Sequence, residues 1–352
     1  MNQILDVRFA KRLFQCILIA FLIIGFPVLS QAQESQLGFY VTPEFSENQV
    51  DDSKRYFDLN LEPGQTETLA VTLQNANDET IQVAITPHTA YTNVHGVVEY
   101  GKDASDPDPT LVHSLSELIE TPELVELSGN ETKTIEIPLK MPQKTFQGFL
   151  AGGLRIAEVR EETDTTEESG EGVAIKNEFA YVLGIVVSNK RDSVLPGLNL
   201  LDVFADQLNY RNVISATLQN IAPAFINRMS VEATVYREGE DDVLYEAQAE
   251  QLQMAPNSHF HFPISLEGDR FQSGNYILRL KAISGEDEWE WERPFTIEGE
   301  TARSLNRQDV TIDSSPNWLL IGGIFFISCL LAIIIYLLVQ RKKNKRVQDK
   351  KE

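Results

Sequence analysis

The stretches "GQTETLAVTLQNANDET" (64–80) and "RNVISATLQNIAPAF" (211–225) share the tetrapeptide TLQN, at 72–75 and again at 217–220. In the first, Leu69, Val71 and Leu73 alternate with Ala70, Thr72 and Gln74, which is the period of a strand with one buried face. Ile214, Ala216 and Leu218 hold the same three positions in the second. Turn residues follow each copy, Asn75-Ala76-Asn77-Asp78 and Asn220-Ile221-Ala222-Pro223. Another alternating strand comes next in both, with Ile81, Val83 and Ile85 in one and Val231, Ala233 and Val235 in the other.

The correspondence runs on downstream. "LSGNETKTIEIPLKMPQKTFQG" (127–148) aligns with "MAPNSHFHFPISLEGDRFQSG" (254–274), each a turn containing Asn130 or Asn257 and then a strand. Ile135, Ile137 and Leu139 form the inward set of one; Phe260, Phe262, Ile264 and Leu266 form that of the other. Each unit closes with a hairpin. "GGLRIAEV" and "NEFAYVLGIVVS" flank a polar run, 160–172, that reads as a hairpin tip, and Ser284-Gly285-Glu286-Asp287 separates "YILRLKAI" from "EWEWERPFTIE". Trp289 and Trp291 share parity with Phe295 and Ile297, so they read as core.

Short strands at this spacing predict an all-β chain of two tandem immunoglobulin-like β-sandwich domains, at 33–189 and 190–300. The join falls in "SNKRDSVLPG"; the strand at 177–188 could close the first unit or open the second. A short helix is expected near 109–120, with Asp108 as cap, Pro109 in the first position, and Leu111, Leu115, Leu118 and Ile119 as its apolar stripe.

The ends read differently. Arg8, Lys11 and Arg12 precede an apolar run from Leu13 to Leu29, and Ser30-Gln31-Ala32 supplies small residues for cleavage, so 1–32 reads as a signal peptide. An uncleaved anchor is the alternative. After a juxtamembrane linker at 301–317, Trp318 to Val339 is 22 residues without a charge, about 33 Å of helix at 1.5 Å per residue. This predicts one transmembrane helix at 318–339, with Trp318 at the outer interface. Arg341, Lys342 and Lys343 open a basic tail, 340–352, which the positive-inside rule places in the cytoplasm. The expected product is a single-pass cell-membrane protein with an extracellular body on the cell-wall side.

With ten Lys and Arg and three Asp and Glu of the two ends set aside, 33–317 keeps 20 basic and 49 acidic residues, or about −29. Such a body is a poor partner for nucleic acid or an anionic lipid surface. Both cysteines, Cys16 and Cys329, lie in the apolar ends, so the body has neither thiol catalysis nor a Cys-based zinc site.

Motifs of chemistry are sparse. The sequence has no Gly-x-Ser-x-Gly elbow, phosphate-binding Gly-x-x-x-x-Gly-Lys or His-Glu-x-x-His. His259 and His261 share one strand face but lack a third ligand, and Asp103, Asp106 and Asp108 read as a solvated loop before a capped helix; no metal or other cofactor is expected. "AYTNVHGVVEY" gathers Tyr91, Asn93, His95 and Tyr100 in an extended segment broken by Gly96. Aromatic faces and amides are what grip sugars, so these four residues are the candidate glycan-binding set; ordinary strand and turn packing is the competing reading.

The motifs in order, "FYVTPEF" (39–45), "YFDLNLEPGQTETLAVTLQN" (56–75), "YTNVHGVVEY" (91–100), "MPQKTFQGFLAGGLRI" (141–156), "EFAYVLGIVV" (178–187), "MAPNSHFHFPI" (254–264) and "SGNYILRLKA" (273–282), resemble the WxL-interacting proteins of Gram-positive bacteria from about Gly38 to Val310. The resemblance implies a non-enzymatic surface protein for adhesion. Its N-terminal domain would bind peptidoglycan, its second domain would face host molecules such as an extracellular-matrix protein, and a secreted WxL-domain protein would be its partner. It supplies no contact residues. Two other readings stand beside it, a host-matrix adhesin without wall affinity and a wall-active glycoside hydrolase using an acid pair.

Overall fold

A computed structural model of the chain describes residues 38–159, 179–312 and 322–336. The signal segment, the hairpin tip at 160–172, Trp318, Arg341, Lys342, Lys343 and the rest of the basic tail lie outside the described residues.

The first unit contains β1 (Phe39–Glu44), β2 (Phe57–Asn60), β3 (Thr66–Asn75), β4 (Ile81–Thr89), a small hairpin of β5 (Tyr91–Thr92) and β6 (Val98–Glu99), β7 (Val125–Leu127), β8 (Thr132–Lys140), β9 (Leu150–Val159) and β10 (Ala180–Ser188). A three-stranded sheet, β1-β3-β8, faces a five-stranded sheet, β2-β10-β9-β4-β7. The second unit contains β11 (Leu198–Leu208), β12 (Arg211–Asn220), β13 (Ile226–Arg237), β14 (Val243–Met254), β15 (Ser258–Ser265), β16 (Gly274–Ser284), β17 (Asp287–Ile297) and the helix α1 (Gly299–Gln308). Its sheets are β11-β12-β15 and β14-β13-β16-β17. Both units are therefore all-β sandwiches with one strand order. The first adds β2, which pairs in parallel with the edge of β10. The strand at 177–188 sits in the first sandwich, where β10 pairs along its length with β9.

The alternation of β3 turns Leu69, Val71 and Leu73 into the core, with exposures of 0–1%. Ile214, Ala216 and Leu218 of β12 are equally buried, but so are Ser215, Thr217 and Gln219 on its other face. Those outward groups are covered by polar partners: Asp206 for Ser215, His261 for Thr217 and Asp108, from the first sandwich, for Gln219. Trp289 and Trp291 pack, half-buried, against the second core, where Phe295 and Ile297 are buried.

The two TLQN copies end in asparagines that do the same work. Asn75 Nδ2 donates to the carbonyls of Glu79, Leu127 and Ser128, and its Oδ1 accepts from Asn77 N–H. Asn220 Nδ2 donates to Ala224 and Ala255, and its Oδ1 accepts from Ala222 N–H. The partner turns are pinned alike, by Asn130 N–H on Asn77 O and Asn257 N–H on Ala222 O. Asn130 and Asn257 both hold positive φ, 60° and 48°, a region that asparagine tolerates better than most residues.

Two expectations need correcting. The helix near 109–120 is only a 3-10 turn at Leu115–Leu118. Asp108 caps no helix: its Oδ1 takes the N–H and hydroxyl of Thr110 in a tight turn. Thr110, Val112, His113 and Ser114 are weak helix formers, and burying Leu115 and Ile119 needs no full helix. The supposed linker from 301 is also ordered, because α1 packs on the second sandwich through Ala302 and Leu305. Asn306 Oδ1 accepts from Phe271 N–H, and Asp309 Oδ2 accepts from Asn212 N–H, which ties the helix down.

Residues 322–336 are helical. Among the described residues no helix is long and apolar enough to cross a membrane. Positions 318–321 and 337–339 of the expected span lie outside the described residues.

Candidate functional site

The two sandwiches meet in a joint made of backbone and short polar side chains. The β5–β6 hairpin reaches the second unit, where Gln253 N–H donates to Gly96 O at 2.7 Å and Ala255 N–H to Thr92 Oγ1 at 3.0 Å. Thr92 and Ser258 hydroxyls pair at 2.6 Å. Phe149 N–H donates to Pro223 O at 2.8 Å. Asp108, with no exposed side-chain surface, accepts from Gln219 Nε2 at 3.0 and 3.1 Å and from His259 Nδ1 at 2.9 Å. Burial alone would raise the Asp108 carboxyl, but the hydrogen bonds from Thr110, Gln219 and His259 outweigh it and hold the group below the usual carboxylate range.

Two glycines let the chains come this close. Gly148 has φ +68°, and a Cβ there would lie 2.0 Å from Pro223 O; Gly96 has φ +65°, and its Cβ would lie 2.7 Å from Leu252.

Beside this joint opens a cleft of about 560 Å³. The first sandwich contributes Arg55, Tyr56 and Asp58 around β2, Tyr100 after β6, Phe149 before β9, and Arg191 after β10; the second contributes Phe225 and Asn227. Gly184 on β10 leaves the wall beside Tyr56 free of a side chain. Phe149 and Phe225 rings lie 6.2 Å apart across the joint, tilted by 43°. The Arg191 guanidinium sits 5.3 Å over the Phe149 ring. Its Nη2 donates to Asp58 Oδ1 at 2.6 Å and to Leu59 O at 3.2 Å, which fixes the group and leaves Nη1 and Nε without a partner among the described residues. Burial pushes the Tyr100 phenol up to about 12, with neighbouring Tyr56 adding to the shift, so its hydroxyl stays a donor at neutral pH.

The four residues expected to grip sugar do not form one face. Tyr100 lines the cleft, whereas Tyr91 lines a separate cavity of about 130 Å³ with Asp103, Asp108 and His259. Asn93 builds the hairpin turn, its Oδ1 accepting from the N–H groups of His95 and Val97. His95 is exposed at that turn. Sequence reading missed Tyr56, Phe149, Arg191 and Phe225. They are scattered over 170 positions; the sheet pairing of β10 with β2 and β9 gathers Tyr56, Phe149 and Arg191, and the joint between the sandwiches adds Phe225.

The histidine pair is committed elsewhere. His259 and His261 rings lie 6.1 Å apart, with one Nδ1 on Asp108 and the other on Thr217. Among the described residues no group of three His, Cys, Asp or Glu is placed to hold a metal.

The cleft draws its lining from both sandwiches, and each sandwich has a counterpart among known protein families. Residues 39–158 match the family model described as WxL Interacting Protein, peptidoglycan binding domain, and residues 170–307 match WxL Interacting Protein, host binding domain. This chain belongs to the WxL-interacting protein family. In this WxL-interacting protein the second model begins upstream of β10, although that strand hydrogen-bonds within the first sandwich. Both models describe binding domains.

No curated protein matches the chain. Solved structures similar to it include the class 5 fimbriae chaperone CfaA (14% identity, 72% of this chain and 98% of that chain, TM-score 0.28). The Pseudomonas aeruginosa CupB2 chaperone (15% identity, 66% and 95%, TM-score 0.27) and the PapD-like domain of human CEP192 (10% identity, 48% and 97%, TM-score 0.27) are others. At those TM-scores no function follows from the likeness.

Proposed function

We propose that this WxL-interacting protein is a non-enzymatic scaffold of the cell surface, held at the membrane by its C-terminus, that binds peptidoglycan through its first sandwich. The observation that carries this reading is the match of 39–158 to the peptidoglycan-binding model. The second sandwich meets host ligands, and a secreted protein with a WxL domain is the protein partner. The cleft supports the glycan reading because flat aromatic faces with a few fixed polar groups suit a pyranose ring. The helix at 322–336 supports anchorage: Ile324, Phe325, Phe326 and Ile335 are all more than half exposed, and a helix apolar on every side suits lipid rather than water. The unbroken apolar run to Val339 and the basic residues after it point the same way.

The test is sedimentation of the full chain, purified in detergent, with insoluble peptidoglycan at low salt. We expect the protein in the pellet and no reducing sugar in the supernatant. Protein left in the supernatant refutes wall binding and favours a host-matrix adhesin; released sugar favours a hydrolase. For anchorage, the full chain should fractionate with membranes and a chain ending before Trp318 should be released; full chain in the soluble fraction refutes it.

A further inference from the structure

The joint cleft takes residues from both sandwiches, and its charge runs against that of the molecule. The chain carries a formal −22, yet the cleft offers Arg55 and Arg191 against Asp58 alone. Asp58 is spent on Arg191, at 2.6 Å. A guanidinium pair with unspent donors is a receptor for carboxylate. Around it stand four aromatic rings, those of Tyr56, Tyr100, Phe149 and Phe225, in a volume of about 560 Å³, within the ordinary range for ligand sites. A neutral sugar would need the rings but not the arginines, and a free peptide would need the arginines but not four rings.

We propose that the cleft binds a muropeptide, its amino-sugar ring laid on the aromatic walls and a free carboxylate of its stem peptide on Arg55 and Arg191. Phe225 of the second sandwich is then part of the peptidoglycan site, and the ligand spans the joint. This rests on the peptidoglycan reading and adds to it the ligand's chemistry and the second domain's share.

The test is titration of the full chain with a soluble disaccharide-tripeptide bearing free carboxylates, compared with the same compound amidated and with a stemless disaccharide. Arg55 is exposed and bonded to nothing among the described residues, so Arg55→Ala should fold normally and weaken binding about tenfold, the loss of one charge-assisted contact. Phe225→Ala should weaken it at least as much and Phe225→Tyr should restore it, which separates ring stacking from mere joint packing. The amidated and stemless compounds should bind at least tenfold more weakly than the free acid. Equal affinity for stemless sugar, or unchanged binding by both Arg55→Ala and Phe225→Ala, overturns the proposal. If the full chain sediments with peptidoglycan but ignores the muropeptide, the cleft assignment falls and wall binding stands; if neither happens, both fall.

Discussion

Asn75 and Asn220 show what a four-residue repeat conserves physically. Each is buried, at 1% and 0% exposure, and each side-chain amide closes one turn onto another across the sandwich end. Asn75→Ala would leave the carbonyls of Glu79, Leu127 and Ser128 short of a buried donor, and Asn220→Ala would do the same to Ala224 and Ala255. We predict a loss of about 3 kcal/mol for either, seen as matched shifts in the denaturation midpoint of the affected sandwich. A loss below about 0.5 kcal/mol would show these bonds to be incidental. The repeat was legible in sequence as strand and turn, but the carbonyls that the asparagines serve were not, because Leu127 and Ala255 enter from 52 and 35 positions away.

At the scale of elements, the strands read well because one buried face imposes a period of two; β3, β4, β8 and β15 follow it, with Phe260, Phe262 and Ile264 all inward. The period failed where a second surface covers the outer face, as over β12. It misled at 109–120, where Leu115, Leu118 and Ile119 meet the core from a 3-10 turn and Leu111 lines a small cavity instead. Gly148 tests the joint at this scale. Gly148→Ala puts a methyl against Pro223 O in a backbone region that disfavours side chains, so the joint must shift. The expected result is hydrogen exchange at least tenfold faster at Gln253 N–H, which bonds Gly96 O, with β3 and β12 amides unchanged. Unaltered exchange at Gln253 would mean that this contact does not hold the sandwiches together.

For the whole molecule, Asp108 is an ionisable latch of the joint. Asp108 titrates lower in the folded chain than when unfolded, so its contribution is fully present above about pH 3.8 and fades as pH falls through the lower folded value. The joint should therefore stay closed down to about pH 3.8 and open only below it, with a rise in radius of gyration by small-angle scattering while strand content by circular dichroism persists. Asp108→Asn places an amide against two donors, Gln219 and His259, and should give the opened form already at neutral pH. A compact Asp108→Asn variant at pH 7 would dismiss the latch.

In the proposed arrangement, wall polymer is held where the two sandwiches meet. Hydrogen–deuterium exchange of the full chain with and without the free-acid muropeptide tests this most directly. Protection is predicted together at 55–58, at 100, at 149 and at 225–227, on both sides of the joint. Protection confined to one sandwich, or absent from these segments in a chain that is demonstrably bound, would contradict it.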